Sequence, residues 1–266
     1  MAFAHQSTLY SLLIQCAWQT VHSFAHNDKQ LQGTPGAIAV LHTHSRRLGY
    51  HPHVHLVVPA AAVDAKNRLW RTKRSKGKRR YLFNHKALAK VFRAKLLDAI
   101  TAEGLPLPAR CAEKWVVDCK CVGSGEKALV YLGRYLYRGV IREQDILACE
   151  NGQVTFRYKD AKSGRSETRT VSGAKFLWLI LQHVLPKGFR RARNFGFLHP
   201  NSKRLIALVQ YLFALDPTRA LARIKPRPAL ACPCCGGEMK IVKTRITPSL
   251  SHPPPVPIAD AAVALM

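Results

Sequence analysis

Three histidines alternate within residues 49–59, at His51, His53 and His55. In a strand, side chains two residues apart share a face, so His53, His55 and Val57 would point one way while Val54, Leu56 and Val58 point into a core. Two imidazoles on one face, with Cβ atoms roughly 6–7 Å apart, can chelate one divalent ion. An apolar strand gains no stability from them, so a purpose other than packing is expected. A firm site needs a third ligand. His42, on the preceding apolar run, is the candidate, with His44 and His51 also available. Imidazole ligands with an open position suit Mn²⁺ or Zn²⁺, or Mg²⁺ where carboxylate or substrate oxygens complete the shell.

A second constellation lies on the helix expected over residues 126–138. At about 100° per residue, Tyr131 and Tyr135 fall within about 40° of each other, flanked by Arg134 and Arg138, while Leu129, Leu132 and Leu136 form a separate aliphatic face. A tyrosine hydroxyl has a pKa of about 10, so as a nucleophile it requires a metal, a base or nearby cations. The flanking arginines would bring a phosphate to the phenols. For a phosphodiester held between a metal and Tyr131 or Tyr135, the phenolate attacks phosphorus in line and a 3′-hydroxyl leaves. The phosphotyrosine keeps the bond energy, so a strand can be rejoined without ATP. Two tyrosines one helical turn apart permit two successive transfers.

The composition agrees with such a substrate. The 266 residues carry 42 Lys plus Arg against 15 Asp plus Glu, a formal charge of +27. That surplus is self-repulsive unless a polyanion neutralises it, making nucleic acid the first expected partner and an anionic membrane surface the lesser one. The densest basic stretch, residues 66–80, reads as a loop that tracks phosphates. The longest apolar run, residues 176–181, is too short to span a membrane. Residues 1–28 lack the basic segment that opens a secretory leader, so a cytoplasmic location is expected. The eight cysteines then read mostly as thiols in a reducing compartment.

The elements that must position these residues alternate. Leu9, Leu12, Leu13, Cys16 and Thr20 predict a helix, followed by strands over residues 37–41 and 53–58 joined as a hairpin through residues 45–50. Asn84 caps a helix with Leu88, Val91, Phe92, Leu96 and Ile100 on one face, and residues 115–121 read as a strand. After the tyrosine helix, Val154, Phe156 and Tyr158 alternate in a strand that returns around residues 168–171. Short buried helices are expected over residues 176–185 and 205–215. The fold class is α+β: an antiparallel sheet with helices mainly on one face, and a basic helical extension behind it. The expected domains are residues 1–185, a basic helical DNA-binding extension over 186–230, and a Cys-x-x-Cys knuckle with a Pro-rich tail over 231–266.

Taken together, LHTHSRRLGYHPHVHLVVP, YLGRYLYR, VTFRYKD, LQHVLPKGFRRARNFGFL and CPCCGG resemble the two-tyrosine HUH transposases of rolling-circle insertion sequences, a branch of the HUH endonucleases. The resemblance covers nearly the whole chain. It implies an HUH-type sheet, His53 and His55 as ligands of Mg²⁺ or Mn²⁺, and Tyr131 and Tyr135 as nucleophiles. It implies single-stranded DNA or hairpin ends of a mobile element as partner, in the bacterial cytoplasm at the nucleoid. Arg134, Arg138, Lys187, Arg190, Arg191 and Arg193 would contact the DNA backbone. Members of the family usually begin with a cysteine-rich zinc module and a sheet strand, so this chain resembles a shortened copy lacking both. Tyr137 stands where a histidine is expected, and residues 60–62 are alanines where glycines usually follow. Cys232 and Cys235 are similar to half of a zinc ribbon, with Cys234 and His252 as further candidates for zinc.

Two other classes compete. The alternation of His51, His53 and His55 fits a histidine-triad nucleotide hydrolase, but that reading leaves the charge and the tyrosine helix unused, and Pro52 is awkward in a ladder-forming strand. A catalytically inactive DNA-binding remnant of a transposase explains the charge alone.

Overall fold

The computed structural model describes residues 5–74, 81–107, 111–137, 139–160, 163–216 and 230–239. Residues 5–215 belong to one unit, and a second begins at Asp216.

The first unit is organised by helix α1 (Gln6–Asn27), whose buried residues serve three packing faces. Tyr10 and Ile14 meet Ala39 and Leu41 of strand β1 (Thr34–His44). Leu9 and Cys16 meet Leu96 and Ile100 of helix α2 (His85–Ala102). Ala25 joins Leu31, Ala62, Phe83 and Leu88. The expected cap of α2 is present, Asn84 Oδ1 accepting from the amides of Lys86 at 3.0 Å and Ala87 at 3.1 Å.

β1 is the interior strand of the central sheet. Strand β2 (Tyr50–Val57) pairs antiparallel with it, with Val40 opposite His55 and His42 opposite His53. The same stretch of β1 pairs on its other edge with a late strand, β8 (Ala192–Gly196), through Ala39 with Arg193 and Val40 with Ala192. The start of β1 pairs with β3 (Ala61–Asp64), which pairs with β4 (Leu69–Thr72). Asp64 pins that hairpin by accepting from the Arg71 guanidinium and the Asn67 amide. The hydrogen bonds from Asn67, then Arg71, hold its carboxyl down at about 2.

The β1–β2 ladder slips by one residue between His42 and His44, so that His44 lies opposite Tyr50. Pro52 is the residue that the slip accommodates. A proline has no N–H to give a ladder and is tolerated at bulges and sheet edges, and among the described residues β2 has no sheet partner besides β1.

A second sheet is the meander β5 (Ile146–Glu150), β6 (Gln153–Lys159) and β7 (Ser166–Ser172), followed by helix α4 (Gly173–Leu181). Val154, Phe156, Phe176 and Leu179 form its core, and Leu48 from the β1–β2 turn inserts into it. His183 Nε2 lies 3.1 Å from the Leu48 carbonyl oxygen, tying the segment after α4 to the turn of the histidine hairpin. Helix α3 (Glu126–Tyr137) precedes the meander, and helix α5 (Lys203–Leu212) follows β8. In the second unit, β9 (Leu230–Ala231) and β10 (Glu238–Met239) form a small hairpin.

Antiparallel sheets with packed helices make this an α+β fold, as expected. Four details differ from the sequence reading. Residues 115–121 are irregular: Trp115 packs edge-on against Phe92 at 5.6 Å, and Val116 is exposed, so alternating apolar residues there find no sheet edge. α4 ends at Leu181 and buries only Phe176 and Leu179, while Leu177, Trp178 and Leu181 face outward. The boundary expected at 185/186 falls inside the first unit, because β8 is a strand of its central sheet. Of the loop expected over residues 66–80, residues 69–72 instead form β4, whose backbone pairs with β3, and residues 75–80 lie outside the described residues, as do Arg138, residues 217–229 and the tail from 240.

Two glycines of positive φ separate a close approach from a simple turn. At Gly196 (φ +61°) a Cβ would overlap the Pro35 carbonyl oxygen, whereas at Gly152 (φ +71°), in the Asn151-Gly152 turn joining β5 to β6, it would meet open space. Gly196→Ala is therefore expected to cost at least about 3 kcal/mol, and Gly152→Ala about 1 kcal/mol. Chemical denaturation of both variants checks the order.

Candidate metal centre

Three histidines converge where β1 meets β2. His42 and His53 are directly opposed, and His55 lies opposite Val40, two residues from His42 on the same face. The ring centroids of His42 and His55 are 4.1 Å apart, those of His42 and His53 5.3 Å, and those of His53 and His55 5.1 Å. One ring nitrogen from each lies within 4.8 Å of the other two. Among the described residues this is the only group of three or more potential ligands so arranged. The third ligand, open on the sequence alone, is thus best supplied by His42. His51 takes a different part: His53 Nδ1 lies 2.7 Å from the His51 carbonyl oxygen, a contact that in the Nδ1–H tautomer leaves Nε2 for a cation. The register slip sends His44 to His183, ring centroids 5.4 Å apart, and out of the trio.

The electrostatics favour neutral imidazoles. Burial, followed by the neighbouring His55, His53, His44 and Arg191, pushes His42 down to about 2. Burial, then His183, Arg191 and His53, pushes His44 down to about 4. His53 and His55 are also lowered, burial being the main cause for each. Only neutral imidazole offers a lone pair to a metal, so the donor set fits a divalent ion that accepts nitrogen, such as Mn²⁺ or Zn²⁺. Mg²⁺ would need oxygen from elsewhere.

The tyrosine helix starts on the same face. A Cβ at Gly125, one residue before α3, would lie 4.0 Å from Val57 Cγ1, and Val57 shares its side of β2 with His53 and His55. On α3, Leu132 is buried and Leu129 exposed, so the aliphatic face is only partly covered. Tyr131 is 58% exposed, leaving its side chain reachable by a substrate. Arg134 and Tyr135 lie on the same helix one turn of sequence away, and Arg138 falls outside the described residues.

The basic segment before and within β8 divides. Lys187 and Arg190 are exposed. Arg193 turns toward α1, its Nη2 donating to Ser11 Oγ at 3.0 Å while its guanidinium lies 5.2 Å from the centroid of the Phe189 ring. Arg191 is half-buried, and its charge adds to burial in holding His42, His44 and His183 below their usual range. Sequence reasoning grouped these four residues by charge and could not separate them. The direction that Arg193 takes depends on where β8 joins β1.

In the second unit, the Cys232 amide donates to the Gly237 carbonyl at 2.8 Å and the Gly236 amide to the Cys232 carbonyl at 2.9 Å, closing a tight knuckle. The amides of Cys234 and Cys235 donate to the Cys232 sulfur and lower its thiol, with smaller help from the Cys235 and Cys234 side chains. This favours a thiolate at Cys232.

Comparison with known proteins follows the same lines. The profile of the Y2_Tnp family, described as "Putative transposase", matches residues 36–205, which include β1 from Gly36 on, β2, α3 and β8. The chain is 32% identical over 222 residues to "Putative transposase y4qJ" of Sinorhizobium fredii (strain NBRC 101917 / NGR234), covering 74% of this chain and 54% of that protein. It is 30% identical over 185 residues to the "Transposase for insertion sequence element IS801" of Pseudomonas savastanoi pv. phaseolicola, covering 61% of this chain and 43% of that protein. The chain thus spans about half the length of the curated relatives it matches. No solved structure matches it significantly. Among the described residues no helix is long and apolar enough to cross a membrane. With the family profile matched across the histidine strands, the tyrosine helix and the basic strand alike, the chain belongs to the Y2_Tnp transposase family.

Proposed function

We propose that this chain nicks and rejoins single-stranded DNA at the ends of an insertion sequence through a 5′-phosphotyrosine intermediate. The observation that carries the reading is the trio His42, His53 and His55, three neutral imidazoles brought together in a chain of transposase family. A cation bound there would polarise the phosphoryl oxygen of a DNA phosphodiester. The chain's own residues do the rest. Tyr131 or Tyr135 loses its phenolic proton to solvent, and its oxygen forms the bond to phosphorus. The bond from phosphorus to the 3′-oxygen breaks, and that oxygen takes up a proton as the free 3′-hydroxyl. Reversal with a different 3′-hydroxyl joins a new strand and restores the tyrosine. Arg134 and Arg138 would flank the phosphate from the tyrosine helix, while Lys187 and Arg190 contact the backbone farther along. In the second unit, Cys232 and Cys235 would hold zinc, with Cys234 and His252 as the candidates for further ligands. A nucleoid-associated, cytoplasmic location fits this chemistry and the charge of +27.

The decisive experiment incubates the chain with labelled single-stranded oligonucleotides carrying insertion-sequence ends, in Mn²⁺ or Mg²⁺, and looks for a protein–DNA adduct that survives denaturation. Replacing both tyrosines by phenylalanine is expected to abolish the adduct. Tyr131→Phe by itself, at an exposed position, should change stability by no more than about 0.5 kcal/mol. His53→Ala should weaken Mn²⁺ binding by about 100-fold or more and remove most of the adduct. A wild-type chain that binds the oligonucleotides and Mn²⁺ yet forms no adduct would instead be a DNA-binding remnant.

The depressed histidines set the pH dependence. Ligands that titrate near 6.5 would lose roughly 50-fold in combined neutral fraction between pH 7.5 and 6, if three are required. Here the folded-state values lie lower, so protons compete at more acidic pH, and Mn²⁺ affinity is expected to change by less than that over the interval. The same shifts act on stability with a definite sign. Below about 6.5 the unfolded chain protonates histidines that the fold keeps neutral, so the unfolded state binds more protons. The metal-free chain should therefore lose stability as pH falls from about 6.5 toward 4, the value reached by His44. Calorimetric titration with Mn²⁺ and thermal melts across this range measure both effects.

A further inference from the structure

Helix α5 is joined to the central sheet through aromatic rings. Phe213, at its C-terminal end, meets Trp70 of β4 edge-on with ring centroids 5.0 Å apart, and Trp70 meets Phe197 in the same way at 5.2 Å. Trp70 and Phe197 both lie on the side of the sheet that carries the histidine trio. Trp70 stands opposite Val63, and Val63 opposite Thr34. Thr34 and Gly36 share a face of β1 with His42, because alternate residues of a strand point the same way. A Cβ at Gly36 would overlap the Phe197 ring, which therefore covers this same face. Gly36 and His42 are six residues apart along β1, so Phe197 stands about 20 Å from the trio.

The outward face of α5 carries residues that its packing does not require. With Phe213 turned to the sheet, a step of about 100° per residue puts Arg204 and Tyr211 on the opposite side, within about 20° of each other and with the small Ala207 between them. Tyr211 is 80% exposed, and Lys203 and Arg204 are exposed as well. Arg204 and Tyr211 are separated by about 10 Å along the helix axis. Between Thr168 and Asp216 the sequence contains no acid, so no carboxylate of this stretch offsets the two cations. An open aromatic ring beside unmatched positive charge suits a strand whose bases are free to stack and whose phosphates need neutralising. A duplex keeps its bases stacked on one another, and a second copy of a chain of charge +27 would be repelled. We propose that the outward face of α5 binds single-stranded DNA beyond the metal centre, Tyr211 stacking on an unpaired base while Lys203 and Arg204 hold neighbouring phosphates. The assignment rests on the reading of single-stranded DNA as substrate and extends the strand's path from the trio to α5.

The test measures binding of the full chain to a labelled single-stranded 20-mer of thymidine, and to a duplex of the same length, by fluorescence anisotropy. The variants are Tyr211→Ala, Tyr211→Phe and the double change Lys203→Gln with Arg204→Gln. Tyr211→Ala should weaken single-strand binding by about 10-fold and duplex binding by less than about 2-fold. Tyr211→Phe keeps the ring, so its single-strand affinity should stay within about 2-fold of wild type. The double variant should lower the slope of log affinity against log salt by about 1.4 for the single strand, two phosphate contacts being lost. Thermal melts of all three should match wild type, since the changed side chains are exposed. Single-strand binding that is unchanged in Tyr211→Ala would overturn the assignment, as would equal losses for single strand and duplex. So would a Tyr211→Ala chain that keeps its DNA affinity but sediments as a monomer where wild type sediments as a dimer, for the face would then join two copies. A wild-type chain that binds no single strand removes the substrate reading itself, whereas binding indifferent to Tyr211 removes only the α5 site.

Discussion

The antiparallel register of β1 and β2 is the constraint on which the site depends. His42 stands opposite His53, and only this alignment, with His55 two residues along, gathers three imidazoles on one face. A slip of one residue would turn one strand's histidines to the other side of the sheet, where Ala39, Leu41, Val54 and Leu56 pack on α1. The register is therefore held by burial on the far side. Tyr10 and Ile14 of α1 fix which residues face the core, and the Tyr10 and Tyr50 hydroxyls, 2.8 Å apart, tie the helix to the start of β2. The hairpin turn is anchored separately, through Leu48 in the core of the meander and the contact of its carbonyl with His183.

The slip between His42 and His44 shows that a departure from regular pairing can be as informative as the pairing. Pro52 cannot donate to a ladder, and in the regular register that pairs His42 with His53 it would stand opposite Thr43. The displaced register resolves it and, in the same movement, sorts the histidines. His42 remains with His53 and His55, while His44 joins His183. A proline that counts against a plain strand on the sequence alone thus becomes part of how the centre is limited to three ligands.

What is legible from sequence is what depends on short spacing. The pair His53 and His55 follows from strand alternation, the cap at Asn84 from local side-chain chemistry, and the hairpin of β6 and β7 from the alternation of Val154, Phe156 and Tyr158. What is hidden depends on pairing across the chain. His42 is one of several candidates until the register with β2 is known. β8 reads as part of a basic extension because arginines occupy a short strand, and its membership of the sheet rests on contacts with residues about 150 positions away. Residues 115–121 fail in the opposite sense: their alternation is strand-like, but no edge receives them.

The charge of +27 acquires a geometry from the same contacts. Several of the scarce acids are committed to holding structure: Asp28 with Lys73, Asp64 with Arg71, Asp145 with Arg142 and Arg157, and Asp160 and Glu167 with Arg47. Each such pair removes a carboxylate from the pool that could neutralise the remaining cations. Exposed pairs of this kind contribute little to stability, so their effect on the overall field matters more than their energy. The exposed positive residues include Lys187 and Arg190 before β8. With several of its few carboxylates held in local pairs, the surplus of +27 rests on cations that the chain's own acids cannot match in number.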